Sequence, residues 1–185
     1  MSARVFDPLR LDVQAFANDA AELDGRWPLR RFDRLGEATH SESRPAEGDE
    51  VVWSARGVLR DKSADRPQTW LHLLARTQLR LECQRCLQPL DTVLDIDRWF
   101  HFVAGEDAAA QIDADSEDDV LALTRALDLA ELVEDELLLA LPLVPRHGAT
   151  CPSPLLPAND AADLQQDKAN PFAALAALKR GDSLN

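Results

Sequence analysis

At 185 residues with 45% hydrophobic side chains, the chain is long enough for one ordinary domain with a real core and too short for two full ones. The formal net charge of −13 is unevenly spread: residues 1–100 carry 15 Lys or Arg against 17 Asp or Glu, and residues 101–185 carry 5 against 16. An acidic C-terminal part repels phosphate, which disfavours broad electrostatic capture of nucleic acid and favours a basic protein partner, with simple solubility as the plain alternative.

The opening MSARVFDPLRL has no apolar stretch behind its charge, and no run approaches the length that spans a bilayer, so a soluble cytoplasmic protein with no membrane attachment is expected. Residues 12–24 place Val13, Phe16, Ala20 and Leu23 at helical spacing, with Gly25 as a C-cap, and predict a short amphipathic helix. The following RWPLRRFDRL gathers Arg26, Arg30, Arg31 and Arg34 around Trp27 and Phe32. It reads as a half-buried strand with an arginine-rich outer face, and it is the one cluster suited to RNA contact. Residues 37–50 are polar with Pro and Gly, a loop.

Strand periodicity then takes over. Val51, Trp53, Ala55, Gly57 and Leu59 alternate, DKSADRP makes a turn, and TWLHLLARTQLRLEC alternates again with Leu71, Leu73, Ala75, Thr77, Leu79, Leu81 and Cys83 on one face. LDTVLDIDRWFHFV continues the period, so the centre of the protein is predicted to be an antiparallel sheet with Cys83 and Cys86 at a strand–strand connection. Residues 106–119 hold Glu106, Asp107, Asp113, Asp115, Glu117, Asp118 and Asp119 and no base, which predicts an exposed, mobile acidic loop and a candidate partner-binding segment. The register of an EF-hand is absent there. DVLAL at 119–123 fits one more short strand.

From Asp128 the pattern turns helical. Asp128 is the N-cap with Glu131 three residues on, Leu129, Leu132, Val133, Leu137, Ala140 and Leu141 form one stripe, and Pro142 closes the helix. Glu134, Asp135 and Glu136 read as its solvated face. Residues 152–169 look like a linker, and NPFAALAALKR like a compact helix with Asn170 as N-cap. The expected class is α+β: an antiparallel sheet core covered by a few helices, with an acidic loop and a C-terminal helix. A single domain over 1–151, a linker over 152–169 and a helical tail over 170–185 complete it.

Three cysteines cannot all pair with one another, and in a reducing compartment thiols stay unpaired unless metal or catalysis employs them. A redox Cys-x-x-Cys opens a helix whose N-terminus acidifies the thiol. Here LQP and another strand follow Cys86, a context that suits a zinc knuckle. RHGATC supplies His147 and Cys151, so Cys83, Cys86, His147 and Cys151 could form a closed Cys₃His site for one structural zinc, the alternative being thiols that are simply buried. His40, His72 and His101 stand in different elements, and no catalytic residues, glycine-rich phosphate loop or small-molecule site can be argued.

LECQRCLQPL, ELVEDELLLALPLVPRH and NPFAALAALKR, in this order and spacing, resemble the large ribosomal RNA subunit accumulation protein (YceD) family. The resemblance implies a non-catalytic ribosome-biogenesis factor that supports accumulation of large-subunit ribosomal RNA. Its partner would be a ribosomal or ribosome-assembly protein, held electrostatically by the acidic part. The competing class is a thiol-disulfide oxidoreductase or zinc-dependent enzyme using Cys83 and Cys86.

Overall fold

The computed structural model describes residues 4–60 and 67–152. The chain divides into two compact units, Met1–His147 and Gly148–Asn185. The first carries every element below. The expected turn at 61–67, the linker and the C-terminal helix fall wholly or almost wholly outside the described residues.

Helix α1 spans Val13–Asn18 and begins where Asp12 Oδ1 accepts the Ala15 N–H at 3.0 Å. It stops six residues short of the expected end. Asp19 caps it, Ala20 turns through φ 46°, and the chain enters strand β1, Glu22–Pro28. The helical spacing of Ala20 and Leu23 lost to sheet pairing, because Glu22 to Pro28 align with Arg56 to Glu50 of strand β2, Glu50–Arg60. Gly25 is therefore a strand residue and caps no helix. It lies opposite Trp53, whose ring covers it closely: a Cβ there would meet the indole at 3.0 Å. The arginine-rich stretch is only partly strand. It continues as a 3₁₀ turn, Leu29–Arg31, and helix α2, Asp33–Glu37.

Strands β3, Gln68–Glu82, and β4, Pro89–Val103, form the long central pair, in unbroken antiparallel register from Thr69 against Phe102 to Glu82 against Pro89. The sheet order is β1-β2-β3-β4-β5. The acidic segment departs from expectation, since residues 106–115 are helix α3, Glu106–Asp115, rather than a loop. The reason is topological. Strand β5, Asp119–Ala122, runs parallel to β4, and parallel neighbours need a crossover, which α3 supplies. The sheet is thus mixed, with one parallel pair at its edge. Asp113 closes the unit by accepting the Val120 N–H at 3.2 Å.

Helices α1, α2 and α4, Leu129–Leu139, cover one face of the sheet. Asp128 caps α4 by accepting the Ala130 and Glu131 N–H groups at 2.9 and 3.2 Å. The predicted stripe is buried through Leu129, Leu132, Val133 and Leu137. The acids of α4 are not a plain solvated face. Glu134 grips α2 through the Leu35 N–H at 3.1 Å and Arg34 at 2.9 Å, and Glu136 is buried against Arg98 at 3.3 Å. The apolar stretch that ends α4 and continues past it is not all core either, for Leu139, Leu143 and Val144 are exposed. On the open face of the sheet, Trp70 stacks on His101 and His72 on Trp99, with the Arg60 guanidinium over both tryptophans at 3.9 and 4.4 Å.

Candidate metal centre

The alternation of β3 carries Cys83 onto the core side just past the strand end, and the chain must then reverse into β4 within six residues. The reversal is closed by backbone bonds: the Leu87 N–H donates to the Cys83 carbonyl at 2.8 Å, and the Cys83 N–H donates to the Gln88 carbonyl at 3.0 Å. Leu87 pays for the tightness with φ 57°, a left-handed conformation that glycine adopts more readily. Cys83 and Cys86 end up buried side by side.

The second arm arrives from α4. The Gln84 N–H donates to the Pro145 carbonyl at 2.9 Å, which holds the segment after the helix against the turn and delivers His147. His147 Nδ1 lies 3.5 Å from Cys86 Sγ, and Nε2 lies 3.1 Å from the Pro89 carbonyl. Only an Nε2–H can bond a carbonyl, so that contact fixes the tautomer and turns the Nδ1 lone pair toward the thiols, as an outer partner does for a metal-binding histidine. Burial pushes the Cys83 thiol up. The backbone N–H groups of His147, Arg85 and Cys86 and the His147 side chain oppose that and bring it down to about 5, so the site favours a thiolate.

The ligand atoms of Cys83, Cys86 and His147 lie within 4.8 Å of one another. Tetrahedral zinc with Zn–S near 2.3 Å and Zn–N near 2.0 to 2.1 Å separates sulfur from nitrogen by about 3.6 Å and sulfur from sulfur by about 3.8 Å. The 3.5 Å between Cys86 and His147 fits that geometry. Cys83, Cys86 and His147 thus present three donors that could hold a metal ion. Cys151, half-buried, lies four residues past His147 in the second unit.

Sequence reasoning missed His40. Its backbone N–H donates to the Arg80 carbonyl at 2.7 Å, its Nδ1 accepts the Glu42 N–H at 3.2 Å, and its Nε2 meets the Leu87 carbonyl at 3.1 Å. The imidazole thus braces Leu87, the left-handed residue of the turn. No sequence signal marks it, since its partners are backbone groups and two of them, Arg80 and Leu87, are reached only through the tertiary fold. No helix opens at Cys86, which removes the physical basis of a thioredoxin-like thiol.

The four arginines of the basic cluster do not converge. Arg26 pairs with Glu50 at 3.1 Å, Arg30 with Glu47 at 3.8 Å, and Arg34 with Glu134 and Asp135, while Arg31 lies over the Trp27 ring. Of the acidic segment, Glu106, Asp107, Asp113 and Asp115 belong to α3, Glu117 and Asp118 to the turn after it, and Asp119 opens β5 and pairs with Arg98 at 2.9 Å.

No helix among the described residues is long and apolar enough to cross a membrane. Residues 71–179 match the family model described as Large ribosomal RNA subunit accumulation protein YceD. A Haemophilus influenzae protein named Large ribosomal RNA subunit accumulation protein YceD is 34% identical over 157 residues, covering 82% of this chain and 90% of its own length. No solved structure matches the chain. The order of strand-turn cysteines, capped late helix and flanking histidine thus sits inside a match that spans most of the sequence, and the chain belongs to the large ribosomal RNA subunit accumulation protein YceD family.

Proposed function

We propose that this protein is a non-catalytic cytoplasmic factor that supports accumulation of large-subunit ribosomal RNA, and that it acts by holding a ribosomal or ribosome-assembly protein. The observation that carries the process is the match over 82% of the chain to a protein named for that role. The mode rests on charge. The cluster expected to touch RNA has three of its four arginines in ion pairs, whereas Glu106, Asp107, Asp113, Asp115, Glu117 and Asp118 have no ion-pair partner among the described residues and form a negative surface for a basic protein.

One structural zinc on Cys83, Cys86, His147 and Cys151 belongs to the same reading. Two of the donors are buried thiols at a strand–strand turn, His147 is brought beside them by the segment after α4, and Cys151 as a fourth protein ligand would leave no open position for substrate, which is the character of a structural site. Bound zinc would supply cross-linking of the turn to the segment after α4, and the chain's own residues do the rest. The Pro89 carbonyl orients His147, and backbone N–H groups hold the thiolate of Cys83.

The test is a deletion strain together with a pull-down, with and without nuclease. Lowered large-subunit ribosomal RNA and a basic protein retained after nuclease are expected. Normal ribosomal RNA levels would remove the role, and recovery of RNA alone would remove the protein-directed mode.

A further inference from the structure

β4 is fifteen residues long, but β5 pairs with it only from Phe100 to Val103. Among the described residues, no strand and no loop backbone pairs the outer edge of β4 over residues 91–99. Proteins blunt such edges with proline, bulges, lysine or a covering loop. The opposite edge strand, β1, is half as long and carries Gly25 and Pro28. The end of β3 that extends beyond β2 is covered, since the His40 N–H bonds the Arg80 carbonyl. Residues 91–99 of β4 have no proline, and their register with β3 runs without a bulge; their protection is charge, through Asp91, Asp95, Asp97 and Arg98, and the excess of aspartate repels an acidic strand but not a basic one.

A groove runs beside this edge, lined by Asp95, Ile96, Asp97, Arg98, Glu136 and Leu139. Asp95 and Asp97 are 66% and 73% exposed, and Leu139 is 76% exposed. Asp95 and Asp97 reach across the sheet to Arg76 at 3.4 Å and His72 at 2.7 Å, exposed pairs that contribute little and can be exchanged for an incoming cation. On the other face Glu136 is buried and already paired with Arg98 at 3.3 Å, which leaves Leu139 as the exposed apolar side chain beside the edge.

We propose that the open edge of β4 is a docking site for an extended basic segment of a partner protein, which adds a strand in line with β5, sets basic side chains against Asp95 and Asp97, and turns its alternate apolar side chains toward Leu139 on the other face. Main-chain bonds give such a complex its affinity, and alternate side chains give its selectivity. Nine residues of edge present roughly 26 to 30 Å of ladder, room for a segment of about eight residues. Charge decides the occupant. A second copy of this chain paired antiparallel along β4 would bring the aspartate rows of the two edges together, and like charges facing across strands destabilise the pairing. This inference rests on the protein-directed mode proposed above and gives that mode a place and a partner chemistry.

The probe is a fluorescein-labelled ten-residue peptide of alternating lysine and valine, with a control of the same sequence N-methylated at every second amide. Full-length protein should bind the first peptide, lose affinity as salt rises, and bind the control at least tenfold more weakly. Hydrogen exchange should show new protection of the amides of residues 91–99. D95K/D97K, two exposed positions, should fold normally and bind at least tenfold more weakly, and L139D should weaken binding too. Equal binding of both peptides, protection elsewhere than β4, or a protein that sediments as a dimer blocking the edge would each overturn the inference. So would the absence of any binding; and if a deletion strain still loses ribosomal RNA, that failure falls on the docking edge and not on the role.

Discussion

Gly57→Ala separates the stability of the fold from the metal centre. Gly57 sits on the buried face of β2, and a Cβ there would lie 2.7 Å from the Phe16 carbonyl carbon and oxygen and from the Ala17 nitrogen. Non-bonded carbon contacts settle near 3.5 to 4.0 Å, so the backbone of α1 must retreat by most of an ångström. It has little room. Phe16, Val13 and Leu11 are fully buried, the Gly57 N–H donates to the Ala21 carbonyl at 2.9 Å, and the Ala21 N–H donates to the Phe16 carbonyl at 3.1 Å. Overpacking of this kind costs about 1 to 3 kcal/mol, offset in part by alanine's smaller entropy loss in a strand, roughly 0.5 to 1 kcal/mol. A net loss of about 1 to 2 kcal/mol should lower Tm by about 2 to 8 °C for a domain of this size. Gly57 pairs with Leu71, twelve residues and so about 40 Å along β3 from Cys83, and metal content should not change. The assays are a thermal melt by circular dichroism and metal analysis of the same preparation. A Tm within about 1 °C of the parent would refute the close approach of α1 to β2.

Three other outcomes are expected. Cys83→Ser or Cys86→Ser should reduce bound zinc from about one per chain to a trace and lower Tm, read by elemental analysis of protein purified without chelator. Leu137→Asp should abolish the folded state by burying an unpaired charge, and Leu137→Ala should cost about 2 to 5 kcal/mol in urea unfolding. The pH profile should carry two opposite slopes. Burial raises Glu136, so the folded protein holds a proton that the unfolded chain has lost, and stability falls as pH rises from the unfolded value, about 4.3, to the raised folded one. Glu136→Gln should flatten that slope. Burial lowers His101, with Arg60 adding to this and Asp118 opposing it, so stability falls as pH drops below the unfolded value of about 6.5; His101→Gln should remove that dependence.

The elements most legible in the sequence are those whose local signal and tertiary role agree. β2, β3 and β4 alternate cleanly because one face of each is buried, and α4 announces itself through the Asp128 cap and the Leu129, Leu132, Val133 and Leu137 stripe. Residues 20–24 were ambiguous for a physical reason. Their spacing satisfies a helix, and only the non-local fit of Trp53 over Gly25 favours the strand. α3 was hidden because its face toward the protein is nearly empty, with Ala109 alone buried, so no apolar period marks it. Its existence follows from the parallel placement of β5, a fact of topology. At the candidate site the cysteine spacing was readable and the flanking strands ruled out a helix N-terminus. The bracing role of His40 was not readable, for it is made of hydrogen bonds to backbone groups 40 and more residues away in sequence.

Charge shows the same division between what composition states and what the fold does with it. Arg26, Arg30, Arg34, Arg56, Arg76, Arg80 and Arg98 each face a carboxylate, and the pairs tie β1 to β2, α2 to α4 and β3 to β4. Most are exposed and contribute little stability singly, but each removes a cation from the set available to phosphate. Six acids that stand apart from these pairs, Glu106, Asp107, Asp113, Asp115, Glu117 and Asp118, gather on α3 and the turn that follows it. The protein-directed mode proposed above rests on this division: a negative surface on α3, together with an edge of β4 that no strand pairs over residues 91–99 among the described residues, would suit a partner that is both basic and able to lie extended.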